Sequence, residues 1–139
     1  MELHLLHPKL IHFPIALIVT GTVLEILSWI HRKDAWHNLA LSMYLIGTAA
    51  IVLAVLTGLK DAAYFKIHHP VLNEHKLFAF LALGSAVVSW FTLFLVKRKS
   101  EKAFRILFLI FILLVCIFVV LAAHEGGEMV YEYGVGVAL

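Results

Sequence analysis

Nine histidines in a chain of 139 residues are the side chains whose type and spacing could do chemistry. Imidazole binds haem iron, zinc and copper, and it exchanges protons near neutral pH. The histidines cluster: His4, His7 and His12 in "HLLHPKLIHFPIAL", His31 and His37 in "HRKDAWH", His68, His69 and His75 in "HHPVLNEH", and His124 at the close of a long apolar run. No "HExxH" or "CxxCH" fixes a metal or a covalent haem. Any ligand set must therefore be assembled from distant parts of the chain. Hydroxyl residues are few and none is placed with a histidine by sequence, which argues against nucleophilic catalysis.

What must position these residues is a set of membrane helices. The chain is 63% hydrophobic and 14% charged, with a mean hydropathy of +0.98, whereas soluble domains are nearer about 45–50% apolar. Apolar runs at about 10–30, 38–59, 74–96 and 104–123 each have the roughly 20 residues that cross a hydrocarbon core. The first lacks a basic leader and a small-residue cleavage site, so it reads as a retained span. The connections "HRKDAWHN", "KDAAYFKIHHPVLN" and "KRKSEKAFR" are short, which makes sequential helices antiparallel neighbours. The expected fold is an all-α integral membrane protein, a single four-helix up-down-up-down transmembrane bundle over 1–139 with a short tail at 125–139. Asn73 is expected to cap the third helix ahead of Glu74, and Gly126 and Gly127 to stop the fourth. Pro14 sits in the first turn of the first helix or, if that helix begins at Pro8, kinks it. No sequence repeat is evident. Cys116 falls mid-span, where packing is its expected role and no intrachain disulfide can form.

Basic residues are retained on the cytoplasmic side of short loops. Arg32, Lys33, Lys97, Arg98, Lys99, Lys102 and Arg105 flank two connections, against Lys9, Lys60, Lys66 and Lys76 at the opposite ends. Both termini are thus expected on the outer, periplasmic side of a bacterial inner membrane. The net charge of +2 is a topology signal, and no nucleic-acid partner is expected. In this topology His4, His7, His12, His68, His69, His75 and His124 share the outer end. His31 and His37 fall in a solvated cytoplasmic loop with Trp36 as its interfacial anchor.

His12, His75 and His124 come from three different helix ends and can converge. Below His75 the helical stripe reads Ala79, Ala82, Ala86, Ser89; back from Asp61 it reads Gly58, Ala54, Ala50, Gly47; below His12 it reads Ala16 and Thr20. Small residues let membrane helices approach closely, and a histidine above such a groove also suits a flat macrocycle whose iron takes the ring nitrogen. His12 with His75 is the expected axial pair, with His124 the bulkier alternative and His7 nearer water, completing a metal site or holding a haem propionate. Asp61, Glu125, Glu128 and Tyr131 are candidates to orient the ligands. Glu25 lies inside the first span, close enough to Arg32 and Lys33 to pair with them. The tail beyond the glycines is expected to fold back over the histidine-rich mouth.

"HPKLIHFPIAL", "GLKDAAYF", "EHKLFA" and "HEGGEMVYEYGVGV" together resemble the bacterial membrane-protein family known as domain of unknown function 2231, over essentially the whole chain. The resemblance matches His7, Pro8, His12, Phe13, Pro14, Gly58, Asp61, His75, Gly126, Gly127, Val130, Tyr131, Gly134 and Gly136. It departs at Tyr133, where many members carry histidine. It implies four membrane helices and redox work beside cytochrome c or Rieske iron–sulfur modules. Three readings stay open. One is a b-type cytochrome-like electron-transfer protein with a haem held by two of His12, His75 and His124, working between a quinone and a periplasmic redox protein. Another is a non-haem zinc or copper site, or an accessory subunit of a respiratory complex, built from His7, His12, His75 and His124. The last is a scaffold without cofactor. An electron-transfer or cofactor-binding subunit in the lipid bilayer is expected over a stand-alone enzyme, with homo-oligomerisation open.

Overall fold

The computed structural model describes residues 6–64, 66, 69–99 and 102–135, the side chains of 96–99 excepted. His4, His68 and Gly136 lie outside the described residues. The element order is α1 (Leu6–Leu10), α2 (His12–His31), α3 (Asp34–Tyr64), α4 (Pro70–Lys99) and α5 (Lys102–Tyr131), with no strand among the described residues. Four stretches, Leu6–His31, Asp34–Tyr64, Pro70–Leu95 and Lys102–Tyr131, are long and apolar enough to cross a membrane. They outrun the apolar segments read from the sequence, because helical hydrogen bonding continues past the point where hydropathy falls.

The first helix begins ahead of Pro8 and is interrupted at Ile11. Pro14 has no N–H to return to the Leu10 carbonyl. The backbone holds on through Ile11 N–H to His7 O at 3.1 Å and Ile15 N–H to Ile11 O at 3.4 Å. Two expected boundaries are corrected. Asn73 is not the cap of α4, which starts at Pro70, where proline loses no useful donor; His69 Nδ1 accepts the Val71 amide at 3.3 Å. Gly126 and Gly127 do not stop α5 either. The helix runs on to Tyr131, and Gly134, at φ 63°, turns the chain so that the Val135 amide reaches the Met129 carbonyl at 2.7 Å.

The helices pack as two pairs. α2 lies along α3, and α4 along α5; the pairs meet where α2 touches α5 and α3 touches α4. On α3 the buried positions Ala40, Tyr44, Gly47, Ile51 and Ala54 step by fours and threes, with Asp61 two turns further on, as do Phe108, Ile112, Val115, Val119 and Ala122 on α5. α2 buries Pro14, Ile18, Gly21, Glu25 and Ser28, and α4 buries Ala82, Ala86, Ser89 and Leu93. A shift of 68 positions carries the first pair onto the second: Ile18 to Ala86, Tyr44 to Ile112, Ile51 to Val119, Ala54 to Ala122. The chain thus contains a repeat after all, in burial phase far more than in residue identity. Packing asks only that an equivalent position be apolar or small, so Tyr44 and Ile112 correspond while sharing no chemistry.

The small-residue stripes of α3 and α4 face inward, whereas His12, Ala16 and Thr20 on α2 are exposed. The expected inward stripe of the first helix is therefore on the wrong face. Glu25 and Ser28 are the polar groups that lipid would not solvate, so they set the inward side. Eighteen residues back from Glu25, about five helical turns, is His7. At mid-depth the Tyr44 hydroxyl and Ser89 Oγ lie 2.6 Å apart, tying α3 to α4, and Cys116 packs half-buried against the core.

Candidate ligand site between the two helix pairs

His7 enters the bundle from α1 and lies across α3. Its Nδ1 is 2.8 Å from the Ala54 carbonyl oxygen. His75 does the same from α4 across α5, with Nδ1 2.8 Å from the Ala122 carbonyl oxygen. Both contacts span 47 residues. A carbonyl only accepts, so each Nδ1 carries the proton and each Nε2 keeps a free lone pair. One turn beyond each carbonyl stands a glycine. A Cβ at Gly58 would lie 2.9 Å from His7 Cε1 and 3.0 Å from its Nδ1, and a Cβ at Gly126 would lie 3.4 Å from the same atoms of His75. The absent side chains are the seats of the imidazoles, which also explains why Gly126 remains helical: its place in α5 is held by tertiary contact.

The two rings face one another with centres 5.8 Å apart and planes at 85°. They stand over a cavity of about 200 Å³ whose lining includes Ala54, Gly58, Ala79, Ala82, Ala122 and Gly126. Asp61, 9% exposed, accepts the His7 backbone amide at 3.4 Å. It holds the start of α1 through the main chain, not through the ring. Orientation of both imidazoles comes from backbone carbonyls, which no inventory of side chains contains.

The other expected site residues are placed apart. His12 is exposed and does not line the cavity. His124 is exposed, with Nε2 3.2 Å from Glu128 on the next turn. Glu125 is half-buried, and Tyr131 is 89% exposed. Val130, still on α5, and Val135 beyond its end line the cavity, while Tyr133 stacks on His69 at 4.3 Å between centres. Among the described residues no three histidine, cysteine or acidic side chains are grouped to hold an ion.

A second polar cluster lies at the opposite end. Glu25 is 2% exposed; its Oε2 is 2.6 Å from His37 Nδ1 and its Oε1 accepts the Trp29 indole N–H at 3.1 Å. The expected partners Arg32 and Lys33 are exposed. Arg32 adopts a left-handed conformation (φ 54°) at the end of α2, which turns the connection outward and brings the first turn of α3 back onto Glu25. His37 is accordingly part of the packed structure and not of a solvated loop.

Four long apolar helices, packed in two similar pairs around a histidine-headed cavity, define a multi-pass membrane protein. The chain belongs to DUF2231, a family described as predicted membrane protein, whose model matches residues 3–139. Neither the curated proteins nor the solved structures contain a match to it.

Proposed function

We propose that this protein is a b-type cytochrome-like electron-transfer protein of a bacterial inner membrane, with His7 and His75 as the axial pair of one haem. The observation that carries the reading is the pair of carbonyl-held imidazoles, 5.8 Å apart between centres, on one cavity. Metal–nitrogen bonds are about 2.0–2.1 Å, and rings whose centres are 5.8 Å apart would be near enough for both imidazoles to hold one ion. A porphyrin brings four equatorial nitrogens and needs two from the protein. Zinc asks for three or four protein ligands, and among the described residues the pair has no third partner. The residues therefore fit haem better than zinc or copper.

Bound haem would supply one-electron transfer. His7 and His75 would hold it from opposite helix pairs, the Ala54 and Ala122 carbonyls keep the proton on each Nδ1, and alanines and glycines line the cavity beside them. In this reading the helices run up-down-up-down, with both termini and the site on the periplasmic side. That orientation rests on the basic residues at the other end. A quinone in the bilayer and a periplasmic carrier of cytochrome c or Rieske type are the proposed partners.

The test is the absorption spectrum of the protein purified in detergent, oxidised and then reduced with dithionite. A low-spin Soret band and a sharp α band are expected, lost in His7→Ala or His75→Ala and kept in His12→Ala and His124→Ala. A colourless protein carrying stoichiometric zinc or copper overturns the proposal.

A further inference from the structure

The cavity is nearly symmetric in its ligands and seats but not in its charges. Its charged lining residues beyond the histidines are Asp61 and Lys76. The positions 68 residues away from them are Met129 and Pro8, both apolar and both on the lining. Asp61 lies in the last turn of α3 and Lys76 in the second turn of α4, so both charges fall where these two helices meet. There a second, open recess begins, lined by Lys66, His69, Asn73 and Lys76, and it shares Leu59, Ala62, Leu72 and Lys76 with the main cavity. Asp61 is turned to the His7 amide, which leaves two lysines as the charges of the recess itself. His69 accepts the Val71 amide through Nδ1, so its Nε2 is a donor whenever the ring is neutral.

We infer that the α3–α4 recess is the carboxylate-binding side of the cavity, where Lys76 and Lys66 hold the acid groups of a planar, amphipathic ligand whose body lies between the imidazoles. This rests on the haem reading above and adds a direction to it: the propionates leave between α3 and α4, not on the equivalent but apolar side lined by Met129 and Pro8. Lysine suits the task as a flexible point charge that reaches a carboxylate from the rim while its stem packs on apolar surface.

The experiment titrates the full-length apoprotein in detergent with haem and with haem dimethyl ester, which lacks the acid groups, and reads the low-spin Soret band. Wild type is expected to take haem about three- to tenfold more tightly than the ester, the scale of two partly exposed ion pairs. Lys66→Gln and Lys76→Gln are each expected to narrow the ratio, and the double variant to abolish it with the low-spin spectrum intact. Lys9→Gln, on an exposed residue outside both linings, should leave it unchanged. Low-spin binding of both compounds with equal affinity in wild type, or a ratio indifferent to the two lysines, overturns the carboxylate side and leaves the axial pair standing. Failure of either compound to give a low-spin band in wild type overturns the axial pair, and the recess assignment with it.

Discussion

The two ends of the bundle use the same side chain in opposite ways. At one end His7 and His75 give their Nδ1 protons to backbone carbonyls and line a shared cavity. At the other end His37 is bound to the buried carboxylate of Glu25, and Trp29 occupies the second oxygen. A carbonyl fixes an imidazole without using up its chemistry, while a buried carboxylate makes the imidazole half of a closed pair. The first end is arranged to receive a ligand, and the second is a tie between α2 and α3. Eighteen residues of helix separate His7 from Glu25, about 27 Å. At an effective dielectric of 20, unit charges that far apart interact by only about 0.6 kcal/mol, so each end should respond to mutation almost alone.

The largest test of that contrast is Glu25→Ala. It leaves His37 and the Trp29 indole without their partner in a buried setting, with an expected loss of about 3–5 kcal/mol of stability. Thermal unfolding in detergent measures it, and the absorption spectrum of surviving folded protein should match wild type. A changed spectrum would mean that the ends are coupled. Next comes the pair of glycine seats. Gly58→Ala places a methyl 2.9 Å from His7 and forces a shift, with an overpacking loss of about 1–3 kcal/mol and a perturbed Soret band. Gly126→Ala meets His75 at 3.4 Å and should be milder by both measures. Equal effects would remove the asymmetry drawn between the two halves. Tyr44→Phe, midway between the ends, removes one hydrogen bond to Ser89, which still donates to the Ala86 carbonyl at 2.7 Å. A loss of about 0.5–1.5 kcal/mol is expected, with no spectral change. His124→Ala breaks an exposed pair with Glu128 and should move stability by no more than about 0.5 kcal/mol. A haem held as proposed by His7 and His75, whose ring planes lie at 85°, would give a strongly anisotropic low-spin EPR signal in the ferric state. A rhombic signal of parallel rings would show that the rings rotate on ligand binding.

Composition and apolar run length alone determined that four helices cross a membrane, because a hydrocarbon core admits little else at this hydropathy. The small-residue faces of α3 and α4 were legible too, since each carries an unbroken helical period beneath Asp61 or His75. The corresponding reading of α2 began from His12, the histidine that the apolar run encloses, and so selected the outward face. Counting from Glu25 would have selected His7, for intramembrane polar groups mark the inside more reliably than histidines at a helix end. Three features belonged to the tertiary structure only. The carbonyls that orient His7 and His75 are carried by every residue and leave no mark in a sequence. The pairing of Glu25 with His37 depends on the left-handed turn at Arg32, which returns α3 onto α2. The repeat of 68 positions is written in which residues are buried, and burial is decided by neighbours that the chain acquires on packing.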